Sequence, residues 1–181
     1  MDSDELGTVV LTVAVQEWQD AIDNLEERSA GILRATLQRS TATPWARQGE
    51  VSLLLSDDGE LRELNRHYRQ RDQPTNVLSF PNVDFNEGKA LSSAPPGQAL
   101  LGDVVMSFQR LRAEAGERKK PLLDHYAHLL VHGTLHLLGY DHLEDEQALV
   151  MEKMEEDILL DLGMAHPYQD GEGTLSLGGL S

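Results

Sequence analysis

HLLVHGTLHLLGYDH, His128 to His142, holds four of the chain's seven histidines, at 128, 132, 136 and 142, in an otherwise apolar run. Four residues advance an α-helix by about 400°, so His132 and His136 fall roughly 40° apart on one face, near enough for two imidazoles to hold one ion. Gly139 offers the left-handed conformation that ends a helix and turns the chain back, which lets His142 reach the same point. The spacing is H-x3-H-x5-H. Three neutral imidazoles leave a tetrahedral zinc ion with an open fourth position, the arrangement of catalytic rather than structural sites, and hydrolysis is its natural use. The chain contains no cysteine, which excludes disulfides and thiolate ligands and leaves a transition-metal site to His, Asp or Glu.

With a glycine before the third ligand, the pattern resembles the long zinc-protease signature H-E-x-x-H-x-x-G-x-x-H, and Gly139 occupies its glycine position. Where that signature has its glutamate base, this chain has Gly133, which cannot deprotonate water. A peptidase mechanism therefore loses its base. His128, one turn before His132, reads as a packing histidine or one that supports a ligand from behind, because three ligands already complete the open site. His125, His67 and His166 read likewise. Asp141 reads as stabilising the turn, with orientation of an imidazole or assistance to proton transfer as the alternative.

Outward from this helix, the patterning predicts β-α-β-α-β-β-α-α-α. TVVLTVAVQ (Thr8–Gln16) is β-branched and reads as a strand, and the stretch near Asn24–Ser40 as a helix. EVSLLLS is a second strand; Ser56 begins a helix through Leu61, Leu64 and Tyr68, which Pro74 stops. TNVLSFP and ALLGDVVMS are the third and fourth strands, separated by a Pro/Gly/Ser/Asn-rich stretch, Asn82 to Gln98, that reads as a mobile loop. A helix through Phe108, Leu111 and Ala115 ends at Gly116, and Pro121 opens the histidine helix. A last amphipathic helix runs from about Glu144 to Leu162 with Leu149, Met154, Ile158 and Leu162 inward, closed by Gly163. The expected fold is α+β: a single domain with a mixed four-stranded sheet packed with about five helices and a zincin-like active-site helix. Residues 1–165 form the catalytic zinc-dependent domain and 166–181 a flexible C-terminal tail.

The 181 residues suit one domain, and neither a basic leader nor an apolar run near ~20 residues is present, so the chain reads as soluble and cytoplasmic without a membrane partner. Its formal charge of −16 argues against a polyanionic partner until the distribution is considered. Residues 140–161 hold nine acids and one lysine, whereas Arg62–Arg71 has four arginines to one acid and Gln109–Lys120 five bases to two acids. The chain is polarised, and the two basic segments read either as borders of a common cleft or as solvated helix faces.

Three blocks, LNRHYRQRDQPTNVLSFP, LLGDVVMS and HYAHLLVHGTLHLLGYDH, together with the closing LGMAHPY, strongly resemble the YbeY family of bacterial rRNA maturation factors, regarded as single-strand endoribonucleases; the match spans roughly Val51 to Tyr168. The resemblance implies one zinc ion per chain on His132, His136 and His142. It also implies a catalytic role at the RNA site for Arg69, the arginine of the YR pair, and action in small-subunit rRNA 3′-end maturation and ribosome quality control. A guanidinium suits that role because it offers paired hydrogen bonds to phosphate. The expected partners are small-subunit precursor rRNA and, because an acidic chain binds free RNA weakly, ribosomal proteins or the small subunit itself. A zinc metallopeptidase-like hydrolase and a non-enzymatic zinc-containing ribosome-assembly factor stand as alternatives.

Overall fold

A computed structural model describes residues 6–69, 75–164 and 166–168, with the side chain of Arg69 outside that description. The chain runs β1 (Thr8–Val13), α1 (Glu17–Ala21), α2 (Leu25–Ser40), α3 (Pro44–Arg47), β2 (Glu50–Ser56), α4 (Asp58–Arg69), β3 (Val77–Pro81), β4 (Phe85–Asn86), β5 (Lys89–Ala90), β6 (Leu100–Ser107), α5 (Phe108–Glu117), α6 (Leu122–Leu137) and α7 (Asp145–Asp161). The fold is α+β. The main sheet has the order β1-β2-β6-β3; β1, β2 and β6 are parallel, and β3 lies antiparallel to β6 at one edge.

Side-chain alternation assigns the two faces of this sheet. Val51, Leu53 and Leu55 of β2 are fully buried in one core with Leu33 and Leu37 of α2 and Leu130 and Val131 of α6. Leu54, between them, joins the smaller cluster of Leu61, Leu78 and Val105 under α4 on the other face. Helix α6 is buried nearly all round, as its apolar sequence requires, and its histidines are the polar interruption.

Among the described residues seven helices stand where about five were expected, because α1 and α3 are short pieces held by tertiary contacts. Trp18 pins α1: it is fully buried, donates Nε1–H to the Ser56 carbonyl at 2.9 Å and packs edge-on against Phe108 and Tyr126. The stretch 82–98 contains the hairpin β4–β5, with Val83 and Phe85 buried. Gly88 N–H donates to the Leu138 carbonyl at 2.8 Å and Thr41 Oγ1 donates to the Gly88 carbonyl, so the tip is tied to α2 and to the end of α6. The cap of α4 is Asp57, not Ser56: its Oδ1 accepts from Glu60 N–H at 2.9 Å, placing Glu60 at the third helical position, while Ser56 Oγ donates to the Glu60 carboxylate.

Helix α7 is set by a capping box in which Glu144 and Gln147 exchange hydrogen bonds. Ile158 is buried and Met154 and Leu162 pack against the core as expected, but Leu149 is 67% exposed, and Met151, Glu155 and Leu159 complete the buried face. The expected tail 166–181 begins with three described residues that pack on the body; residues 169–181 lie outside the described set, as do Pro74 and the rest of 70–74. No helix among the described residues is long and apolar enough to cross a membrane.

Candidate metal centre

His132 and His136 lie on the last two turns of α6, half-buried between neighbours that are buried. The helix ends in a Schellman arrangement: Tyr140 N–H donates to the Leu135 carbonyl and Gly139 N–H to the His136 carbonyl, both at 3.1 Å, with Gly139 at φ 82°. A Cβ on Gly139 would sit 2.2 Å from the Phe85 carbonyl oxygen, so only glycine serves here. This reversal returns His142 to the other two rings, at centroid distances of 5.7 Å to His132 and 5.1 Å to His136. Asp141 Oδ1 accepts from the His142 N–H at 2.8 Å, the turn-stabilising role expected of it.

One ligand atom from each of the three histidines lies within 4.8 Å of the others, and His132 Nε2 is 3.1 Å from His136 Nε2. Zinc with nitrogens at ~2.0–2.1 Å in a tetrahedron holds them about 3.3 Å apart, so this donor set fits one zinc ion. Burial, followed by the neighbouring His132 and His136–His142 contacts, pushes the His136 pKa down to about 4, which leaves its lone pair available at neutral pH.

Behind His132 stands a residue the sequence reading missed. Glu155 of α7 is 1% exposed, and its Oε2 accepts from His132 Nδ1 at 2.9 Å and His128 Nε2 at 3.0 Å. Burial alone would raise its pKa, but the hydrogen bonds from His128 and His132 outweigh it and hold the carboxyl well below the usual carboxylate range. A carboxylate on Nδ1–H fixes the tautomer that presents Nε2 to a metal. His128 thus supports the site from behind, as expected, and burial, its largest influence, lowers its pKa against the opposing pull of Glu155. The signal for Glu155 was its phase: it shares the apolar stripe of α7 with Met151, Ile158 and Leu159, where a lone glutamate needs partners.

The histidines open onto a cleft of about 570 Å³ bordered by Asn76, Val77, Ser79 and Pro81 of the β3 segment and by residues 139–143. Gly133 faces the strand instead of the cleft. A Cβ there would lie 2.9 Å from Val104 Cγ1 and 3.2 Å from both Ser79 Oγ and Val77 Cγ2, and Ser79 Oγ donates to the Gly133 carbonyl at 2.8 Å. The position of the peptidase glutamate is occupied by helix-to-sheet packing.

Arg69 is the last residue of α4, on the sheet face opposite α6, and the chain re-emerges at Thr75 on the cleft rim. Its side chain lies outside the described residues, so the structure brings the three histidines together without placing the guanidinium among them. The other basic segment is partly committed to the fold. Lys120 is 8% exposed and donates to the His166 and Pro167 carbonyls at 2.7 and 2.8 Å, and Arg118 donates to the Pro167 carbonyl at 3.2 Å. His125, likewise buried, pairs with Glu114 at 2.8 Å, away from the cluster.

Residues 12–163 match the family described as Endoribonuclease YbeY. A protein named Endoribonuclease YbeY from Rhizorhabdus wittichii is 42% identical over 164 residues, covering 88% of this chain and 97% of that protein. One of the same name from Paramagnetospirillum magneticum is 42% identical over 167 residues, covering 89% and 98%. A solution structure from Thermotoga maritima covers 87% of this chain and 92% of its own at 21% identity, with a TM-score of 0.48, too distant for argument by residue.

Proposed function

Because the chain belongs to the endoribonuclease YbeY family, we propose that it is a metal-dependent endoribonuclease that cleaves single-stranded RNA, with small-subunit precursor rRNA as its substrate. The observation that carries this reading is the convergence of His132, His136 and His142 on a cleft beside the outer edge of β3. These residues would hold one zinc ion, which when bound supplies a Lewis acid for a phosphoryl oxygen or a water molecule.

The chain's own groups supply the remainder. Glu155 holds His132 with Nε2 turned outward, and burial keeps His136 neutral. The walls of the cleft confine the strand, and the Arg69 guanidinium neutralises the non-bridging oxygens of the scissile phosphate as charge builds on them. Gly133 provides no base, and the packing around it leaves no room for one, which weighs against the peptidase alternative. Among the described residues three histidines would hold the ion, one ligand fewer than a structural zinc site takes, which weighs against a purely structural metal. One domain carries the reaction, in the cytoplasm, and contacts with ribosomal proteins compensate for the weak attraction of RNA to a chain of charge −16.

The test is cleavage of a labelled single-stranded 3′ fragment of small-subunit precursor rRNA, of a duplex of the same sequence, and of casein. Wild-type protein is expected to cut the single strand, with His136→Ala inactive. Cutting of casein with the RNA left intact would replace this reading by the peptidase one.

A further inference from the structure

His166, Pro167 and Tyr168, which the sequence places at the head of a loose tail, are clamped to the body of the protein. Lys120 and Arg118 grip the carbonyls of His166 and Pro167, and His166 Nδ1 accepts from the Tyr168 N–H at 3.1 Å. The clamp ends at the metal centre. Tyr168 stacks edge-on against His128, with centroids 5.5 Å apart, and its hydroxyl donates to Glu155 Oε1 at 2.5 Å.

The two oxygens of Glu155 are therefore divided: Oε1 takes Tyr168, and Oε2 takes His128 and His132. Burying a carboxylate at 1% exposure is costly unless its acceptor sites are filled, and three donors fill them here. Removing the phenolic hydroxyl would strand Oε1 without a donor. The carboxylate would then turn to share the histidine protons or draw in water, and either response loosens its hold on His132 Nδ1.

We propose that Tyr168 is a positioning residue for the metal centre: by fixing the Glu155 carboxylate it fixes His132, and so couples docking of the C-terminal segment to zinc affinity. This rests on the metal reading of the three histidines. The coupling is reciprocal by linkage, so zinc must favour the docked segment by the same factor that the docked segment favours zinc. A tyrosine that serves only as an anchor would change stability and leave metal affinity alone.

The test compares wild-type protein and Tyr168→Phe, which keeps the ring against His128 and removes only the hydroxyl. Zinc affinity is measured by competition with a chromogenic chelator, and melting temperature on the metal-free forms. Loss of a hydrogen bond that orients a ligand is expected to weaken zinc binding about 10- to 100-fold. The metal-free melting temperature of Tyr168→Phe should fall as well, because a buried carboxylate oxygen loses its donor, so the change in zinc affinity is the readout that separates positioning from anchoring. In parallel, hydrogen exchange at the Tyr168 amide of the wild type should slow on zinc addition. Wild-type affinity in Tyr168→Phe overturns the proposal, as does an exchange rate indifferent to zinc; the exchange result holds even if the variant folds poorly. A wild-type protein that binds no zinc would defeat the metal reading itself, a separate result.

Discussion

Replacing Gly133 by alanine sets two effects of opposite sign against each other. Glycine inside a helix is less favourable than alanine by about 1 kcal/mol, so on an open helix face the substitution would stabilise. Here the added methyl would lie 2.9 Å from Val104 Cγ1 and 3.2 Å from Ser79 Oγ and Val77 Cγ2, all on strands that α6 packs against. Overpacking of this kind costs ~1–3 kcal/mol, and moving β3 away strains the Ser79 Oγ bond to the Gly133 carbonyl, a contact worth ~1 kcal/mol. The net expectation is destabilisation by about 1–2 kcal/mol. For a chain of this size that lowers the melting temperature by roughly 2–8 °C. Thermal denaturation monitored by circular dichroism, with both proteins zinc-saturated so that ligand linkage is equal, measures it. A melting temperature equal to or above wild type would refute the reasoning, since it would mean that α6 and β3 have room between them and that a glutamate could be accommodated.

Glu155→Gln keeps shape and removes charge, and zinc affinity should fall about 10- to 100-fold because His132 loses its anionic partner; unchanged affinity in a chelator competition would remove Glu155 from the centre. Arg69→Lys and Arg69→Ala should both lower RNA cleavage by about 10²–10³-fold with zinc content intact, whereas rescue by lysine would reduce the role to simple charge. Metal-free protein should lose stability as pH falls from about 6.5 toward 4, because His136, with its pKa depressed to about 4, stays unprotonated in the folded state while the unfolded chain takes up the proton. Urea titrations across that range should show the slope diminished in His136→Asn, and an identical slope in the variant would assign the effect elsewhere.

The histidine helix and its turn were legible because their signals are local: ligand spacing, an apolar run and a glycine at the point of reversal. The four strands were legible for the same reason, being short β-branched or apolar runs bounded by turn residues. The hairpin β4–β5 was not, since its residues have no strand pattern and its order comes from Thr41, Leu138 and Gly139 at distant sequence positions. Helix α7 was read with Met154, Ile158 and Leu162 correctly inward and Leu149 wrongly so, and Glu155 stayed hidden among the other acids. Gly133 was legible as a missing base but not as the point where α6 meets the sheet, because that contact belongs to strands remote in sequence. Lys120 was read as part of a basic segment available to border a cleft, because the carbonyls it grips lie more than forty positions away.

The central claim is that one zinc ion on His132, His136 and His142 is required for cleavage of RNA. Its most direct test strips the protein with a chelator, adds zinc back in measured steps, and follows bound zinc and cleavage of the single-stranded rRNA fragment in the same samples. The account predicts no cleavage without metal, recovery in proportion to occupancy with saturation near one zinc per chain, and neither binding nor recovery in His136→Ala. Full cleavage by verified metal-free protein, or by a His136→Ala variant that holds no zinc, would contradict it.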